Sequence, residues 1–215
     1  RSYKLPGNRL RLLHTNENRG AVTIDEERDY HFRYVLEDNF GNRRTYQFIV
    51  KGKRQDIPEY KPEANEMLYW NRTNVIQKPG MELVVPRYYV YEDVPLRTDM
   101  RGDSSRIAFD YILDAGRTPI HSYCDLSIGL RHMPVADTTK YYIVQKAGKW
   151  RSSMGGKYAN GWIKTRVRSL GTFSVNVDTI APQITPIGQG GWRTSRNIRF
   201  RIKDMESGIG SYKVY

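Results

Sequence analysis

At 215 residues with 39% hydrophobic content, the chain is long enough for one large domain or two small ones with packed cores. No apolar run approaches the roughly 18 residues of a membrane-spanning helix, and the single cysteine, Cys124, excludes a disulfide framework and a cysteine-based zinc cluster. The net charge of +12 fits either a polyanion partner or solvated strand faces. Arg199, Arg201 and Lys203 alternate with core-type residues, as do Lys164, Arg166 and Arg168, which reads as solvated faces with no nucleic acid partner expected.

Residues 1–55 form a first unit. Leu10, Leu12 and Leu13 open it, and Val22 and Ile24 lead to an acidic turn, Asp25-Glu26-Glu27. Tyr30, Phe32, Tyr34 and Leu36 then alternate with Asp29, His31, Arg33 and Val35. Glu37-Asp-Asn-Phe-Gly-Asn42 is rich in residues that tolerate positive φ. Tyr46, Phe48 and Val50 answer on a return strand, the strongest hairpin signal in the chain. So few strands cannot close a sandwich, so this unit is expected to be incomplete or to lean on a neighbour. Residues 56–65, polar and holding Pro58 and Pro62, read as a linker.

Residues 66–178 are the predicted main domain. Met67 to Trp70 and Val75-Ile76 start it; Pro79-Gly80 is a turn; Met81, Leu83 and Val85 alternate. Tyr88, Tyr89 and Tyr91 follow. If that stretch is a strand, Tyr88 and Tyr89 must face opposite sides. Ile107, Phe109, Tyr111 and Leu113 alternate, as do Leu126, Ile128 and Leu130; Tyr141 to Val144 is another strand. Gly155-Gly156 and Asn160-Gly161 flank a predicted Tyr-bearing turn before Trp162-Ile163. Phe173, Val175 and Val177 make the last strand, ended by Asp178-Thr179, Pro182 and Pro186, where the sheet is expected to stop in a stiff connector. Strands spaced by about ten residues with turn signals between them predict an all-β protein, an antiparallel β-sandwich with little helix.

Residues 179–215 open a third unit. Ile198, Phe200 and Ile202 alternate with Arg199, Arg201 and Lys203; Asp204 to Gly208 is a polar turn, and Ile209-Gly-Ser-Tyr212 starts another strand. With no signal peptide in view, the chain is expected to be an internal piece of a longer protein.

Several of these segments resemble known modules. Tyr30-His-Phe-Arg-Tyr34 with Asp38-Asn-Phe-Gly-Asn42 is similar to an immunoglobulin-like extracellular repeat. Gly80-Met-Glu-Leu-Val-Val-Pro86 resembles the opening of ZU5-like sandwich domains. Val177-Asp-Thr-Ile-Ala-Pro-Gln-Ile-Thr185 and Asp204-Met-Glu-Ser-Gly-Ile209 look like bacterial Ig-like junctions. In this order they resemble the region that follows the peptidase domain in secreted M23-type (LytM-like) metallopeptidases of the Bacteroidetes. The resemblance implies a zinc-dependent cell-wall endopeptidase as the parent. It also implies a secreted, periplasmic or cell-surface location in a Gram-negative envelope. The zinc-binding His-x-x-x-Asp and His-x-His segments of such enzymes are not carried over to any residue here. His121-Ser-Tyr-Cys-Asp125 has a His and an Asp four apart but no His-x-His partner, so no catalytic residue, metal ligand or cofactor is assigned to this chain.

The remaining chemistry-bearing residues read as structure. Cys124 shares the inward face of Leu126 and Ile128, as a small buried filler does; His132 falls on that face by count, at the strand end. Ser104-Ser105 and Ser152-Ser153 lack a nucleophile context. The Gly155 to Gly161 segment lacks a phosphate-loop frame, and Asp25, Glu26, Glu27 and Asp29 lack the spacing of a calcium loop. Asn71-Arg-Thr73 matches a glycosylation acceptor, a pattern short enough to arise by chance. Trp70, Trp150, Trp162, Trp192 and the Tyr88-Tyr89-Tyr91 group could stack sugars or pack strands. The candidates for glycan or ligand contact are Trp150, Tyr88, Tyr89 and Trp192, and Trp150, between Lys149 and Arg151, is the best candidate for an exposed ring. The expected function is a non-catalytic sandwich segment of a cell-wall peptidase, for spacing, positioning or envelope targeting. Its partners would be the rest of the parent chain and peptidoglycan or another envelope glycan. The alternative is an adhesion module that binds a glycan or polyanion, unconnected with a peptidase.

Overall fold

Most of the alternating segments form strands in the computed structural model, which describes residues 4–8, 14, 15, 17–56, 63–103 and 105–214. The chain divides into two units, residues 1–62 and 63–215. The predicted strand positions Leu10, Leu12 and Leu13, linker residues 57–62 and Ser104 lie outside the described residues.

In the first unit, β1 (Asp29–Glu37) and β2 (Arg43–Lys51) pair antiparallel, with Phe32 opposite Phe48 and Tyr34 opposite Tyr46. The predicted turn closes them. The Asp38 carboxylate accepts hydrogen bonds from the Phe40 and Asn42 amides, at 2.9 Å each, and from the Asn42 side chain at 2.8 Å. Phe48 stacks on Phe32 with ring centres 5.1 Å apart. The acidic turn is tied down by Tyr30, whose hydroxyl donates to Asp25 at 3.2 Å and accepts the Glu26 amide at 3.1 Å.

In the second unit, thirteen strands follow: β3 (Glu66–Leu68), β4 (Asn74–Lys78), β5 (Met81–Val85), β6 (Val94–Arg101), β7 (Asp110–Asp114), β8 (Cys124–Gly129), β9 (Tyr141–Ala147), β10 (Trp150–Ser153), β11 (Lys157–Ala159), β12 (Trp162–Val167), β13 (Gly171–Val177), β14 (Gln183–Ile187) and β15 (Arg199–Lys203). One sheet runs β10-β9-β13-β7-β6-β3 and the other β11-β12-β8-β5-β4. All their pairings are antiparallel, and the inward residues of both sheets form one core. Leu68, Leu83, Leu96, Leu113, Leu126, Ile143, Ile163 and Phe173 are completely buried there. Two short 3-10 turns, Thr138–Lys140 and Gln189–Gly191, are the only helical segments among the described residues.

Both lateral openings of the sandwich are bridged by a chain that changes sheets. Between β3 and β4, the buried Asn74 side chain accepts the Tyr69 amide at 2.8 Å and donates to the carbonyls of Tyr69 (2.9 Å) and Arg72 (3.1 Å). Between β10 and β11, Met154 and Gly155 bond the backbone of Ile143 at 2.7 and 2.8 Å. A buried amide must find partners, and each corner supplies its own.

Five local expectations change. The strand through Tyr111 starts at Asp110, because the Ile107 carbonyl accepts the Arg131 amide and the Phe109 carbonyl accepts the Ser174 hydroxyl; Ala108, not Phe109, is buried. The Tyr88–Tyr91 stretch is a chain of turns and bends, not a strand. The Tyr158 segment is strand β11, and the turn is Asn160-Gly161, both at positive φ as a two-residue hairpin loop requires. Pro186 sits inside β14, opposite Phe200; a two-stranded sheet is all edge, where a missing donor is tolerated. Ile209–Val214 is not a strand and has no partner strand among the described residues.

Candidate ligand-contact surface

The four sequence candidates do not form one row. Trp150 begins edge strand β10, opposite Ala147, and is 81% exposed. Trp192 is half-buried beside the 3-10 turn of the β14–β15 hairpin; its ring meets Phe200 edge-on at 5.1 Å and its indole N–H donates to the Ile187 carbonyl at 3.0 Å. Tyr88 and Tyr89 belong to the loop joining β5 to β6.

That loop carries an aromatic cluster. Tyr88 adopts left-handed backbone, with φ of 70°, a conformation uncommon for a bulky residue. Its amide donates to the Trp70 carbonyl at 2.9 Å, its ring lies 5.9 Å from that of Trp70, and the Arg87 guanidinium sits 4.4 Å above it. Tyr89 is half-buried against the core and meets His121 edge-on. Tyr91 bonds His121 Nδ1 through its hydroxyl at 2.7 Å. The left-handed turn at Tyr88 frees the two adjacent tyrosines from the two-sided geometry of a strand, and both pack against other rings.

Open clefts flank the sandwich. One of about 650 Å³ lies at the β3–β4 corner beside Tyr69 and Arg72, whose guanidinium rests 3.7 Å over the Tyr69 ring. Another, of about 420 Å³, lies around Pro79, Gly80, Tyr111, Arg131 and Trp162. There the Tyr111 hydroxyl donates to the Pro79 carbonyl at 2.7 Å, and burial pushes its pKa up to about 12. Arg131 stacks over Phe109 at 4.2 Å and donates to the Asp103 carbonyl at 2.6 Å.

The other chemistry-bearing residues stand apart. Cys124 is 1% exposed, and burial, then the neighbouring Asp125 charge, pushes its thiol up to about 11. His132 lies beyond the end of β8 and is exposed, so strand count does not carry to it. Among the described residues, no three His, Cys, Asp or Glu side chains group where they could hold a metal ion.

One cross-strand relationship escaped the sequence reading. The Asn160-Gly161 loop places Lys157 directly opposite Lys164. The signal was present, since a two-residue Asn-Gly loop pairs the residues on either side of it symmetrically.

No curated protein and no solved structure matches the chain. The Zu5-like domain family matches residues 65–178, more than half of the chain and the whole run of strands from β3 to β13. The chain belongs to the Zu5-like domain family.

Proposed function

We propose that the chain is a non-catalytic segment of a secreted or periplasmic M23-type cell-wall peptidase, spacing, positioning or targeting the parent enzyme in the envelope. The observation that carries this reading is the joint after β13. The Asp178 carboxylate accepts both the hydroxyl and the amide of Ser207, and the Glu206 carboxylate accepts the Tyr142 hydroxyl at 2.5 Å. The turn after β15 is thus clasped to the end of the sandwich. A spacer works by keeping successive modules at fixed angles, and such a clasp supplies that stiffness. The burial of Cys124, whose thiol is thereby withheld from solvent, supports a role without cysteine-based catalysis by this chain.

The test has two arms. Purified protein incubated with isolated peptidoglycan should release no soluble fragments; chromatographic detection of released muropeptides would overturn the non-catalytic reading. The gene upstream of this segment should encode the His-x-x-x-Asp and His-x-His segments of a zinc peptidase, and their absence removes the proposed parent.

A second reading, a glycan- or polyanion-binding module, is favoured by one observation: Lys157 and Lys164 face each other across a strand pair.

A further inference from the structure

On β12, Trp162, Lys164 and Arg166 face outward, alternating with the buried Ile163 and Val167. Lys157 of β11 stands directly opposite Lys164. Opposed residues on antiparallel strands share a face, with Cβ atoms about 5 Å apart, and like charges there oppose folding. Both lysines are exposed, and among the described residues neither has an ion-pair partner. Arg166 is in register with Asp125 of β8 but makes no ion pair with it; its guanidinium lies 5.8 Å from the Tyr123 ring instead. Glu82, on the same face, is engaged by Gln77 at 2.8 Å.

Aromatic rings bracket these cations. At the other end of β12, Trp162 lies over Gly129, where a Cβ would stand 3.6 Å from the ring. At that distance the indole and the Gly129 backbone are in ordinary contact, so Trp162 packs against its neighbour strand. A lysine on a short edge strand also discourages edge-to-edge pairing, but that role needs no second lysine across from it.

We infer that the outer face of the five-stranded sheet, built on Lys157, Lys164 and Arg166 between Trp162 and Tyr123, binds a carboxylate-bearing polysaccharide. The inference deepens the glycan-binding reading above and rests on it. Lys164 and Arg166 are two residues apart on one strand, about 7 Å, so an extended polymer meets a row of cations on a flat surface. Three cations with Asp125 among them suit a sparsely charged chain. A nucleic acid carries a phosphate on every nucleotide, and its binders commonly neutralise about 6–10 of them. Trp162, outward-facing and half-buried at the end of the row, would give a sugar ring its stacking partner.

The test compares binding to hyaluronate, which carries a carboxylate on every second sugar, neutral dextran and single-stranded DNA, by calorimetry at several salt concentrations. Two variants are used: Lys157→Ser/Lys164→Ser, and as a control of equal charge Arg199→Ser/Arg201→Ser on β15. The wild type should bind hyaluronate over dextran and DNA. The lysine pair variant should bind it at least about tenfold more weakly, with the salt slope reduced by about two, while the control binds as the wild type does. Thermal unfolding of the lysine variant should be no lower than wild type, since a repulsion is removed. Equal losses in both variants, or DNA bound as tightly as hyaluronate, would overturn the assignment. If the wild type binds hyaluronate and the lysine variant keeps that affinity, this surface is wrong but the glycan-binding reading stands. If the wild type binds none of the three polymers, both fall.

Discussion

Tyr142 and Glu206 meet across 2.5 Å, and Asn176 donates to both, at 3.0 Å to the phenol oxygen and 2.8 Å to the carboxylate. Strands β9 and β13 thereby hold the turn that follows β15. Burial first, and the Glu206 hydrogen bond second, raise the Tyr142 pKa well above the tyrosine range. Tyr142→Phe removes the phenol but leaves Asn176 on Glu206. A hydrogen bond to a charged group contributes about 1.5–3 kcal/mol, and a loss near 1.5 kcal/mol is expected by urea denaturation. Amide exchange at Ser207 should quicken as well; unchanged exchange would show that this contact does not hold the turn.

The same joint should respond to acid. The Asp178 carboxylate is held below its usual value by the Ser207 hydroxyl first, with backbone amides assisting. A lowered folded-state pKa contributes stability that is complete above the unfolded-state value and lost as pH falls through the folded one. The Ser207 amide resonance should therefore stay constant from pH 8 to 5 and move only below about pH 4. A titration of that resonance near neutrality would sink this account.

Gly80 and Tyr111 limit each other. Gly80 has a φ of +77°, and a Cβ placed on it would stand 2.7 Å from the Tyr111 hydroxyl oxygen. Gly80→Ala should cost about 1–3 kcal/mol from backbone strain, with the clash in addition. Tyr111→Phe relieves the clash and leaves the strain, so a double-mutant cycle should show favourable coupling; additive losses would refute the contact. The Tyr111 pKa, raised to about 12, has a second consequence. Its contribution is complete below the unfolded-state value of about 10 and lost as pH rises toward 12. Tyr111→Phe should flatten the alkaline fall in stability over that window.

Cys124 should be inert in the folded protein. It is buried, with its thiol pushed up to about 11, and the thiolate is the reactive form. Modification by a disulfide reagent at pH 8 should track unfolding, slow in buffer and fast in denaturant. Complete labelling within minutes in buffer would contradict its place in the core.

Lys157→Glu converts a like-charge pair into an opposite-charge pair facing Lys164. A gain of about 0.2–1 kcal/mol in stability is expected from thermal unfolding. A loss of stability would mean the lysines are not opposed as described.

Much of the fold was legible because alternation is a local property. Met81, Leu83 and Val85, or Cys124, Leu126 and Ile128, advertise a buried face within five residues. The Asp38 turn is equally local, since the side chain bonds amides two and four residues on. Two misreadings fell where distant groups intervened. The strand at Tyr111 starts late because Ser174 and Arg131 take the carbonyls before it. The tyrosines of the 86–93 loop fold back because Trp70 and His121 receive them.

Most of the strands, their inward faces and the seat of Cys124 follow from the order of residues alone, since each side chain's facing depends only on its neighbours along the chain. Which strands lie side by side, how the sandwich corners close, and that the turn at 204–208 returns to Tyr142, Asn176 and Asp178 were decided by packing. Sheet pairing joins groups far apart in sequence, and one core must bury every inward face at once.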